Sequence, residues 1–144
     1  MSKELIERLN DGRIDELEAV MAANYPAVDC PLTHVFTEGL YAREIFLPAG
    51  SLATSKIHKT EHPFIVSKGK ILVSIDKGDW VQLEAPYMGV TKPGTRRVVY
   101  AIEDTVWTTF HANPDNITDL EEVEDKIIEK YDNPLLQDIK KLEL

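Results

Sequence analysis

One cysteine, Cys30, stands in a chain of 144 residues, so no internal disulfide can form and a reducing, cytoplasmic setting is expected. Basic residues are scarce too: 16 Lys and Arg oppose 25 Asp and Glu, for a formal charge of −9. Binding to a phosphate backbone needs a basic face to replace released counterions, so nucleic acid is not an expected partner. No apolar run approaches the roughly 18 residues of a bilayer span, which speaks against a membrane association of that kind. The opening stretch alternates charged and apolar residues instead of placing a greasy run after a cationic stub, and does not read as a secretion signal. What remains is an ordinary globular composition, 43% hydrophobic and 28% charged, at about one domain's length.

The acidic excess is uneven. Residues 25–113 carry nine basic and nine acidic groups, whereas residues 1–24 carry three against six and residues 114–144 four against ten. The hydrophobic period changes at the same places, which suggests an N-terminal helical arm (1–30), a β-rich barrel (31–114) and an acidic C-terminal helical arm (115–144). In the first arm Leu5, Ile6 and Leu9, then Ile14, Leu17, Val20 and Met21, recur at helical spacing, with a break at Asn10-Asp11-Gly12 and an end at Asn24-Tyr25-Pro26. In the last arm Thr118 and Glu121 form a capping-box pattern beside the stripe Leu120, Val123, Ile127, Ile128 and Tyr131. Asn133-Pro134 ends that helix, and Leu135, Leu136, Ile139 and Leu142 outline a last short amphipathic piece. Both arms are expected to pack on the centre or on a second subunit.

The centre reads as short β-rich runs: LTHVFT, LYAREIFL, SLATSKIH, HPFIVS, KILVSID, WVQLEA, YMGVT, RRVVYAI and TVWTTFHA. Asp76-Lys77-Gly78-Asp79 and Lys92-Pro93-Gly94 read as hairpin turns, because glycine tolerates positive φ and proline presets the first corner. Nine runs at roughly ten-residue intervals, with no helical period between them, predict a sandwich or barrel and exclude a parallel α/β sheet.

Four histidines carry most of the legible chemistry: His34, His58, His62 and His111. His58-Lys59-Thr60-Glu61-His62 matches the H-x-x-E-H string of inverzincin proteases, which requires a helix. Pro63, the β-branched flanks and Gly69 argue against a helix there. His58 and His62 are candidate metal ligands, set against the plainer reading of a hydrogen-bonded pair at a strand turn. His111 shares a strand face with Trp107 and Thr109, and joins the pair only if that face is interior. His34 is expected at the surface and Glu61 in a solvated turn, while Glu44 can add an oxygen ligand only if it points inward. Lys56, Arg96 and Arg97 are basic groups in or near the strands. Lys56 or Arg97 can hold a carboxylate or phosphate if it faces inside.

The glycines add a pattern. Gly50, five residues, Lys56-Ile57-His58, three residues, His62, six residues and Gly69 follow in order. This resembles the first motif of the cupin superfamily, with His62 at the glutamate position and Lys56 at the first histidine position. GVTKPGTRR resembles the second motif with Arg97 where the last ligand falls, and arginine, always protonated, cannot ligate a metal. If the site has a third imidazole, it must be His111. Residues from about Tyr41 to Pro114 resemble the cupin barrel, and TSKIHKTEHPFIVSKG, EAPYMGVTKPGTRR and EDTVWTTFH are similar to small single-domain cupins of bacteriophage and prophage genomes.

The resemblance implies a mainly-β jelly-roll barrel with flanking helices at both ends. It chooses no reaction; the leading expectation is a divalent ion (Zn, Fe, Ni or Mn) on His58 and His62, with His111 as the candidate third ligand, and a small-molecule ligand oriented by Lys56 or Arg97. Strand edges and apolar stripes lead us to expect a homodimer. Two alternatives stay open: a non-catalytic phage accessory protein, in the host cytoplasm or the virion, and a metal-free sugar-nucleotide isomerase or epimerase using a histidine base.

Overall fold

Period-two alternation predicts strands, and the computed structural model, which describes residues 14–74 and 79–136, holds nine among those residues. They are β1 (Leu32–Thr37), β2 (Gly39–Leu47), β3 (Leu52–Thr54), β4 (His62–Lys68), β5 (Lys70–Ser74), β6 (Trp80–Glu84), β7 (Tyr87–Thr91), β8 (Val98–Ala101) and β9 (Thr105–Asn113). Helices α1 (Ile14–Asn24) and α2 (Leu120–Ile127) flank them. One sheet runs β1-β2-β9-β4-β7 and the other β3-β8-β5-β6, with antiparallel pairing throughout. This is the expected mainly-β jelly roll, closed by non-sequential neighbours such as β2 with β9. No helix of the described residues is long and apolar enough to cross a membrane.

Two local expectations need correction. Lys92-Pro93-Gly94 turns the chain, but not as a hairpin: β7 and β8 lie in different sheets, so the turn carries the chain across the barrel. The run SLATSKIH stays in its sheet only to Thr54, because the backbone of Ser55 pairs with Arg97 and the next residues turn towards the C-terminal segment. The turn at residues 76–78 lies outside the described residues, although Ser74 and Trp80 on either side are paired as a hairpin requires.

Along β9, Thr105, Trp107, Thr109, His111 and Asn113 are buried and alternate with more open neighbours, so this face is the interior. One half of that interior is apolar: Leu47, Phe64, Val66, Ile71, Ala101 and Trp107 form one cluster, with the Trp107 and Phe64 rings stacked 4.4 Å apart. The other half is closed by α2, whose Val123 and Ile127 pack with Ile128 on the fully buried Tyr41. The N-cap of α2 is Asp119, not Thr118. Its carboxylate accepts from the Glu122 amide at 3.0 Å, so the helix starts one residue later than the capping-box pattern suggests.

Helix α1 buries Ile14 and Leu17 against Val98. Arg96 ties the helix down through Asp15, at 2.6 Å, and Glu18. The other half of the first-arm stripe (Leu5, Ile6, Leu9), the Asn10-Asp11-Gly12 break, and Ile139 and Leu142 of the last piece lie outside the described residues. Gly69, the last glycine of the motif, has φ +92, and a Cβ there would stand 2.3 Å from the Asp104 carbonyl oxygen, so no other residue fits.

Candidate metal centre

Each of three histidines reaches the same place from a different element. His62 opens β4 opposite Thr91, and His111 sits on β9 opposite Tyr41. His58 lies on no strand: it makes an isolated bridge to Ile128. Beside it the Lys59 amide donates to the Ile127 carbonyl, the Glu129 amide to the Ile57 carbonyl, and the Gly94 amide to the His58 carbonyl at 3.0 Å. No helix passes through residues 58–62, as Pro63 and the β-branched flanks predict. The three residues are 8%, 3% and 1% exposed at His58, His62 and His111. Their ring centroids stand 4.4, 4.5 and 5.1 Å apart, and one nitrogen from each lies within 4.8 Å of the others.

The hydrogen bonds say which nitrogens are free. His62 Nδ1 faces the Thr60 carbonyl at 3.1 Å, and a carbonyl only accepts, so the proton sits there and Nε2 keeps its lone pair. The Thr109 hydroxyl donates to the Arg43 carbonyl at 3.4 Å and accepts from His111 Nε2 at 2.8 Å, leaving the lone pair on Nδ1. His58 bonds the backbone of Lys56 and leaves Nε2 open. Among the described residues, the buried side-chain nitrogens or oxygens with no hydrogen-bond partner are His58 Nε2, His111 Nδ1 and Arg43 Nε, and all three belong to this one region. Buried polar atoms rarely go unmatched, so their convergence marks a place made for something else.

Burial also fixes the charge state. Desolvation, then the neighbouring His62 and the Arg43 and Arg97 charges, takes His58 down to about 4. Desolvation, then His62, His58 and Arg43, takes His111 to about 3. Burial lowers His62 as well, with the Thr60 backbone bond opposing and Arg97 assisting. All three imidazoles are therefore neutral near pH 7, the form a metal requires. Three neutral nitrogens suit a borderline divalent ion and leave coordination positions open.

The histidines adjoin a cavity of about 180 Å³ within the barrel, which His58 and His62 line directly. Arg97 lines it too: its Nη1 donates to Thr91 Oγ1 at 2.6 Å and its guanidinium lies 5.2 Å from the Phe64 ring centroid. Lys56 reaches the same cavity from an exposed position. Arg96 turns away to Asp15 and Glu18. Glu61 is exposed and paired with Lys92 at 2.8 Å. Glu44 is the out-facing neighbour of Arg43 and Ile45 and supplies no ligand to the cluster. His34 is half-buried, its Nδ1 2.6 Å from the Tyr41 hydroxyl.

Arg43 is the residue that sequence reasoning missed. The signal was present in LYAREIFL, where Tyr41, Arg43, Ile45 and Leu47 share a face and one of the four is charged.

No family model and no curated protein matches this sequence. Solved structures do match. A cupin family protein with a double-stranded β-helix fold from Methanocaldococcus jannaschii is 15% identical, with a TM-score of 0.51 over 62% of this chain and 85% of that one. The fold is a cupin jelly roll. A variant of the salicylate 1,2-dioxygenase of Pseudoaminobacter salicylatoxidans gives a TM-score of 0.54 at 17% identity, covering 90% of this chain. This cupin barrel with its flanking helices spans only 38% of that enzyme's length. Within the cupin frame, the motif position held by Lys56 lies at the exposed edge of the cavity, and the one held by Arg97 presents a guanidinium to it.

Proposed function

We propose that this protein is a divalent-metal cupin acting on a small anionic molecule. His58, His62 and His111 hold one ion, Arg97 orients the anion and Lys56 assists from the rim. The observation that carries this is the convergence of unmatched, buried, neutral imidazole nitrogens beside a cavity. An ion with open positions there supplies polarisation of a substrate oxygen or activation of water. The chain's own contribution is positioning: Thr60 and Thr109 fix two tautomers, and Thr91 with the Phe64 ring holds the Arg97 fork.

Metal analysis of protein purified without added metal tests this. About one equivalent of Zn, Fe, Ni or Mn, lost in the His58→Ala, His62→Ala double variant, supports it. No bound metal even after incubation with these ions removes it. The competing reading is a phage accessory protein that uses the barrel as a scaffold, in the virion or the host cytoplasm. The exposed Lys56 and the arginine at position 97 favour it, because each stands where the cupin motif has a ligand. A homodimer fits either reading: Val35, Met88 and Val90 are exposed on the outer face of the five-stranded sheet, and sedimentation would show the second copy.

A further inference from the structure

The cavity lining is electrically opposite to the chain. The protein carries −9 overall, yet the lining contains Arg43, Arg97 and Lys56 and no aspartate or glutamate. Neither arginine forms an ion pair with an acid among the described residues; both are half-buried, and a partly desolvated charge without a counterion is costly.

The two guanidiniums come from different elements. Arg97 enters from the β7–β8 connection, and its charge acts on His58 and His62. Arg43 enters from β2, and its charge acts on His58 and His111. Two cations therefore share one cavity with the imidazoles of His58 and His62. Arg43 also keeps Nε buried without a partner. A guanidinium grips a carboxylate in two parallel N–H bonds. Ile45, Leu47, Val99 and Trp107 supply apolar wall beside the hydroxyls of Thr91 and Thr109. The cavity of about 180 Å³ accepts a short carbon chain.

We infer that the cavity binds a short aliphatic dicarboxylate, one carboxylate on the Arg97 guanidinium and the other on that of Arg43 beside the histidines. This rests on the reading of the cavity as a ligand site, and it adds Arg43 as a specificity residue and a double negative charge as the requirement.

The test is calorimetric titration of the full chain, with its metal content measured beforehand. The ligands are malonate, succinate and glutarate, with butyrate and succinamide as controls at matched ionic strength. At least one diacid should bind tenfold or more tighter than butyrate, and succinamide should not bind. Arg43→Gln and Arg97→Gln should each weaken the diacid at least tenfold while changing butyrate much less. Arg43→Lys, which keeps the charge but loses the fork, should also weaken the diacid. If diacids bind no better than butyrate to metal-loaded protein, the inference falls and the metal reading stands. If metal-free protein that takes up no ion still selects diacids, the metal reading falls and the inference stands. The ligand series on the unaltered chain decides the matter even if a variant fails to fold.

Discussion

Strand β9 passes from the apolar half of the barrel interior at Trp107 to the histidine half at His111, and both side chains are buried. In the first half burial is itself the stabilising term: Trp107 stacks on Phe64, and Val66, Ile71 and Ala101 close around them without exposed surface. In the second half the same dryness leaves two imidazole lone pairs and a guanidinium N–H unmatched. Burial there works against stability and is maintained for what the groups can hold. Depth in a core therefore says nothing about purpose until the polar atoms have been matched.

The sharpest way to break this contrast is to truncate one residue in each half. Phe64→Ala should destabilise the protein by about 3–5 kcal/mol in denaturant unfolding, through lost transfer and a cavity. His111→Leu, of similar size, should change metal-free stability by no more than about 1 kcal/mol, because it removes an unmatched nitrogen along with one hydrogen bond. A large loss in the second variant would mean that the histidine half is structural after all.

Metal should narrow the gap. At a hundredfold excess over its dissociation constant, an ion that binds only the folded state adds about 2.7 kcal/mol. Thermal unfolding should show that gain in the unaltered chain and none in His111→Leu.

Acid provides a third comparison. His58 and His111 have folded values of about 4 and about 3, below the ordinary imidazole value of 6.5, so between these limits the unfolded chain binds more protons than the folded one. Stability of the metal-free protein is thus complete above pH 6.5, falls as pH drops towards 4 and then 3, and levels off below. His111→Leu should flatten the lower part of that slope. Unfolding curves of equal steepness for both proteins between pH 6 and 3 would refute the assignment of neutral, buried rings.

The smallest expected effect is at the helix that covers the histidine half. Asp119→Ala removes the α2 N-cap and should lower stability by about 1 kcal/mol, with a modest fall in metal affinity measured by competition with a chelator.

The regular part of this fold was readable because alternation is local. Each β-rich run in the sequence contains a strand, and the Gly50 to Gly69 spacing located the segment that carries His58 and His62. What escaped depends on partners far along the chain. His58 is held by Gly94 and by the Ile127–Glu129 segment, and no periodicity within SLATSKIH encodes either contact. The same pairing shortened β3. The crossing at Lys92-Pro93-Gly94 looked like a hairpin because turn residues report a bend and not which sheet receives the next strand. Arg43 was overlooked for a different reason. A charge on an apolar strand face reads as an irregularity until the opposite wall is known to hold Arg97.

The pairing of the His58 segment with residues 127–129 also sets an order of events. A ribosome making this chain releases every strand of both sheets before it releases Glu129. A nascent barrel can close while the His58 segment is fastened by Gly94 alone, so the centre is completed only after the scaffold around it.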